Sequence, residues 1–128
     1  MGQIVDLGAK KKFTLDQANL ALPLIFKITK DSSVLVKNLV AQIESGYIKS
    51  EEHKNRLELE VNDLVVQWQS KVERLGATPK GIWIVDFDSG DGYYCWKYPE
   101  LKVSHWHGYQ DGFTGRVSLM TPEQQPGL

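Results

Sequence analysis

Two rhythms divide the chain. From Leu22 to Leu75 apolar residues recur at three, four or seven, the period of a helix. From Ile82 onward they alternate, the period of a strand. The first stripe, Leu22, Ile25, Ile28, Leu35, Leu39 and Ile43, predicts one long helix, interrupted in pattern by the polar stretch Lys30-Asp31-Ser32-Ser33. Thr14 and Gln17 form a capping-box pair at its start, with Phe13 placed to staple onto Ala18 and Asp16 suited to the helix dipole. Pro23 should bend the helix and Gly46 end it. A second helix starts at Ser50, with Glu51 and Glu52 in its first turn. Its stripe is Leu57, Val61, Leu64, Trp68, Val72 and Leu75, and Gly76 stops it. The short link makes the two helices antiparallel neighbours.

Three strand-like runs follow: Gly81 to Phe87, Tyr93 to Tyr98 and Leu101 to His107. Asp88-Ser89-Gly90-Asp91-Gly92 turns the chain between the first two, and Pro99-Glu100 between the second and third. The expected fold is α+β: a long antiparallel helical hairpin (13–76), then a three-stranded antiparallel β-meander and terminal loop (81–119). Residues 1–12 read as a flexible lead-in with a short strand at Ile4-Val5, and 120–128 as a disordered tail.

Helix one would be about 45 Å long at 1.5 Å per residue. A compact domain of this size is about 28–36 Å across. Phe26, Val36, Val40, Leu59 and Val66 make a partial second stripe that one hairpin cannot bury. A homodimer with a four-helix, coiled-coil-like core is therefore expected.

Composition narrows the function. The 128 residues suit one domain, and a net charge of -1 lacks the basic footprint of a dedicated nucleic-acid binder. The aromatic strands, with Lys10 to Lys12, Lys97 and Lys102 nearby, raise single-strand nucleic-acid binding. The charge balance and the need to cover the hairpin disfavour it. The single cysteine excludes an internal disulfide. With no signal-like or membrane-spanning run, and Asp6 where a myristoylation motif needs Ser or Thr, the expected location is the cytoplasm.

Two stretches carry a resemblance. Phe13-Thr14-Leu15-Asp16-Gln17-Ala18-Asn19-Leu20-Ala21-Leu22-Pro23 resembles the opening F-T-L-x-x-A-N-x-L-L-P of the bacterial domain-of-unknown-function family 2203. Val85-Asp86-Phe87, Cys95-Trp96-Lys97, Trp106-His107 and Gly112-Phe113-Thr114-Gly115-Arg116 resemble its closing pattern V-D-F, C-W-R, W-H and G-F-x-G-R. The resemblance implies no activity, substrate or catalytic residue. It does show a departure: the family follows W-H with an acid and places a second acid two residues later. Here Gly108 and Gln110 stand there, with Asp111 one residue beyond. A site of His plus acids would be lost or rearranged in this chain.

Among candidate groups, His105 and His107 share a strand face and can bind zinc if a third ligand arrives from Asp86, Cys95, Asp111 or Glu100. A turn at Pro99-Glu100 would put Cys95 on the face opposite His105. Packing among aromatics is the bland alternative for the histidines. Asp86 interrupts an apolar strand, so it either faces His107, caps the following turn or pairs with Arg116. The loop Gly112 to Arg116 can form an anion-binding concavity, or simply a tight turn with Arg116 on an acid. Cys95 reads as a buried structural thiol and His53 as a solvated helix residue.

The leading expectation is a self-associating binding domain. Its meander and Gly112–Arg116 loop take a protein partner or small anionic ligand, with Asp86, Trp96, His107 and Arg116 as candidate contacts. No cofactor is favoured. The alternative is a small enzyme or zinc-dependent site on His105 and His107 with Asp86 and Arg116.

Overall fold

The computed structural model describes residues 11–120. The expected lead-in and its strand at Ile4-Val5, and the expected tail, lie outside these residues apart from positions 11, 12 and 120. Helix α1 spans Leu15–Glu44 and α2 spans Glu51–Arg74. Five strands follow: β1 Thr78–Pro79, β2 Ile84–Asp88, β3 Tyr93–Lys97, β4 His105–His107 and β5 Val117–Ser118. They form one antiparallel sheet in sequence order. The class is α+β, with five strands rather than three. The two extra strands are edge pairings of two residues each, too short to leave an alternation in the sequence.

Both helices start as their residue chemistry dictates. Thr14 Oγ1 accepts from the Gln17 N–H at 3.1 Å, while Gln17 Oε1 accepts from the Thr14 N–H at 2.9 Å. Ser50 Oγ accepts from the His53 N–H. Gly46 and Gly76 follow the helices at positive φ. Helix α1 runs unbroken through Pro23.

The core lies between the hairpin and one face of the sheet. Ala18, Leu22 and Ile25 of α1 and Trp68 and Val72 of α2 meet Val85, Phe87 and Trp96 of β2 and β3. Phe13 packs edge-on against Phe87, 5.1 Å between ring centres. The buried stripe of α1 continues through Thr29 and Ser32 instead of stopping at the polar stretch. Thr29 can be buried because its Oγ1 accepts from Trp68 Nε1 at 2.8 Å. Beyond Ser32 no described residue of α1 is buried, and before Trp68 only Leu57 of α2 is. The five-residue strands reach about 17 Å, so the sheet covers only the near half of the hairpin.

One side chain ties α1 to the long β3–β4 connection. Asn19 Oδ1 accepts from the Val103 N–H at 2.9 Å, and its Nδ2 donates to the Val103 carbonyl at 3.0 Å. The amide thus offers Val103 what a neighbouring strand would.

Candidate functional site

The strand register decides which side chains meet. Asp86 pairs with Cys95, Cys95 with His105, and Tyr93 with His107. Paired residues share a face, so Cys95 and His105 lie on the same side of the sheet. This corrects the expectation from a tight turn at Pro99-Glu100. The connection runs from Tyr98 to Ser104, and only His105–His107 of the expected third strand is strand. Asp86, Tyr93, Cys95, His105 and His107 all occupy the outer face, away from the helices.

At its centre sits a buried pair. His107 Nε2 lies 3.0 Å from Asp86 Oδ2, and the two residues are 3% and 1% exposed. The other ring nitrogen, Nδ1, lies 2.8 Å from the Gly108 carbonyl. A carbonyl only accepts, so Nδ1 carries a hydrogen and one further proton is shared between Nε2 and Oδ2. Asp86 Oδ1 has no hydrogen-bond partner among the described residues and no solvent contact. A buried acceptor left open carries a desolvation cost of about 1–3 kcal/mol.

Cys95, fully buried, completes the group. One ligand atom each from Asp86, Cys95 and His107 lies within 4.8 Å of the others. Burial, then the neighbouring Asp86 charge, pushes the Cys95 thiol up to about 12. It is therefore a protonated thiol, not a nucleophile.

A recess of about 120 Å³ opens beside the pair, lined by Lys80, Tyr93, Tyr109 and Phe113 together with Asp86 and His107. That is room for several waters. The Lys80 ammonium sits over the Tyr93 ring at 5.3 Å. Gly112, at φ 70°, leads into the 3-10 turn Phe113–Gly115 that carries Phe113 to the recess. Tyr109 is held by a hydrogen bond from its Oη to Asp88 Oδ1 at 2.7 Å.

The remaining predicted groups lie elsewhere. Arg116 makes two hydrogen bonds to Glu100, Nη1 to Oε1 at 3.0 Å and Nη2 to Oε2 at 2.6 Å, and its guanidinium covers the Phe113 ring. It is thus not the partner of Asp86. Burial alone would raise the Glu100 carboxyl, but the Arg116 hydrogen bonds and one from the Lys97 N–H lower it overall. His105 lies beside this ion pair, 4.0 Å from Glu100 Oε2, and does not join the cluster of Asp86, Cys95 and His107. Burial, and then the Arg116 charge, lowers its basicity. Trp96 is fully buried on the inner face, its Nε1 donating to the Glu100 carbonyl at 2.7 Å. Asp111 Oδ2 accepts from the Gly108 N–H within its own turn.

Sequence reasoning set Cys95 aside and gave Asn19, Tyr93 and Tyr109 no role. The alternation Tyr93, Cys95 and Asp86, Asp88 was the available signal, since it marks one face on each strand.

The profile of the family described as "Uncharacterized conserved protein (DUF2203)" matches residues 11–119. The chain belongs to this family. Asp86, Cys95, His107 and the Gly112–Arg116 loop all fall inside the matched segment, so the outer-face cluster is part of the DUF2203 domain and not an appendage. No curated protein and no solved structure matches the chain. Among the described residues, no helix is long and apolar enough to cross a membrane.

Proposed function

We propose that this DUF2203 chain is a binding domain whose ligand site is the recess over Asp86 and His107, with the helical hairpin as its self-association element. The buried Asp86–His107 pair in the wall of the recess, with Asp86 Oδ1 accepting from no N–H or O–H among the described residues, supports the first half of this reading. A buried carboxylate oxygen without a partner calls for a group that donates a hydrogen bond or carries positive charge. Among the aromatic walls of the recess, Tyr93 and Phe113 already face the protein's own cations, Lys80 and Arg116, which is the kind of contact a cationic ligand would compete for. Arg116, the cation of the Gly112–Arg116 loop, is engaged by Glu100, and the Lys80 ammonium in the wall packs over the Tyr93 ring. The ligand class is therefore a small donor or cation, not the small anion expected from the loop.

Methylammonium and guanidinium are suitable probes, with acetate as the opposite-charge control. In a ¹H–¹⁵N spectrum of the folded protein, the two cations shift the His107 side chain and the Gly108 and Gly112 amides, and acetate does not. Equal response to all three, or to none, removes the reading.

Self-association is supported by apolar residues left exposed on the helices, among them Val34, Leu35, Leu59 and Val66. Scattered apolar residues are ordinary on a surface, but here they lie on elements that outrun the sheet. Light scattering at micromolar concentration should give twice the chain mass. Leu59→Glu with Val66→Glu should return it to one chain mass. A wild-type monomer would end this half of the proposal.

A further inference from the structure

The recess reading asks for a cation or donor, and the residues around it specify one more closely. We propose that Asp86, Cys95 and His107 bind a single transition-metal ion of borderline softness, with zinc the natural occupant. This rests on the recess reading and names its ligand.

The donor set is the first support. A thiolate, an imidazole nitrogen and a carboxylate oxygen together select zinc and its neighbours over magnesium or calcium, which prefer all-oxygen sites. Geometry is the second. Around a tetrahedral zinc, ligand atoms stand about 3.4–3.6 Å apart, given bonds of about 2.0–2.3 Å. Here all three ligand atoms lie within 4.8 Å, with Nε2 to Oδ2 at 3.0 Å. Shifts of about 1 Å or less bring them to a common ion. The third support is the His107 ring. Its Nδ1–H already donates to the Gly108 carbonyl, which aims Nε2, once its shared proton has left, at the ion, as outer hydrogen bonds do for metal-bound histidines. Finally, Asp86 Oδ1 lacks a partner that the ion, or a water on it, would supply.

Binding is a proton exchange with no redox change. The ion forms bonds to Sγ, Nε2 and a carboxylate oxygen. The thiol proton and the proton shared by Nε2 and Oδ2 leave to solvent. Three protein ligands leave a fourth position. Because Asp86 and His107 also line the recess, that position takes a water or small anion from there.

The single cysteine makes the test direct. The full chain, stripped with chelator, is titrated with cobalt(II). The expected result is a thiolate-to-cobalt charge-transfer band that saturates at one equivalent, and only Cys95 can produce it. Zinc should bleach the band and raise the melting temperature. Asp86→Asn and His107→Gln should each weaken cobalt binding at least tenfold, while His53→Gln leaves it unchanged. Wild-type protein that folds but shows no charge-transfer band overturns the metal site, whatever the variants do. So does a band that Asp86→Asn and His107→Gln both leave intact. A missing band together with methylammonium shifts at His107 overturns the metal alone. Absence of both overturns the recess reading as well.

Discussion

Val85 and Phe87 face the helices, while Asp86, between them on the same strand, faces the other way. Trp96 and Cys95 are divided in the same manner on β3. Both sets are buried, yet they are buried by different means. The inner set is covered by an apolar hairpin and any well-shaped hydrophobe would serve there. The outer set lies beneath the loop that carries Tyr109 and Phe113, and it holds a carboxylate, a thiol and an imidazole that apolar residues would replace at less cost. Burial of polar groups that stability does not require points to a task, and this contrast is what separates scaffold from site.

The contrast can be broken by substitution. On the inner face, Phe87→Ala should cost about 3–5 kcal/mol in a denaturant melt, the range for a large aromatic lost from a core. On the outer face, His107→Leu leaves Asp86 with neither oxygen partnered and should cost about 3 kcal/mol. The double change Asp86→Leu, His107→Leu should recover most of that loss. If instead the two effects add, the pair is not an electrostatic unit and the contrast fails.

How much of this was legible beforehand follows the same division. The helix caps at Thr14 and Ser50 rest on local chemistry and could be read directly. The strand runs of β2 and β3 could be read as well, but not their inner face: Trp96, expected as a ligand contact, is core. The outer face was harder, because its membership depends on register across the Tyr98–Ser104 connection. A one-residue slip there moves every side chain of β4 to the other face, and no periodicity survives an irregular connection to fix the parity. Ser32 falls in the polar stretch that reads as an interruption, and the buried stripe runs through it and Thr29 for a related reason. The burial of Thr29 depends on Trp68, 39 residues away, reaching back with its indole N–H.

Smaller effects sharpen the picture at the edge of the site. The Glu100–Arg116 pair ties the terminal loop to the β3–β4 connection. The Glu100 carboxyl is lowered from its ordinary 4.5, so its contribution is present above that pH and lost as pH falls through the lower folded value. Glu100→Gln should flatten the acid limb of the stability profile by about 1 kcal/mol, since the pair is partly exposed. An unchanged acid limb would show that the pair contributes nothing. Thr14→Ala should cost about 1 kcal/mol through the lost cap, read in the same melts. It should leave cobalt binding untouched, because the cap lies on the scaffold side.

The brevity of β1 and β5 has a consequence for how this chain meets others. Each outer strand is two residues long, and β1 spends one of its two on Pro79, which has no amide hydrogen to offer. A flat ladder that invites a neighbouring strand, and in the end fibrils, is thereby cut short on both flanks. Among the described residues, the sheet thus offers a neighbouring chain only two-residue edges.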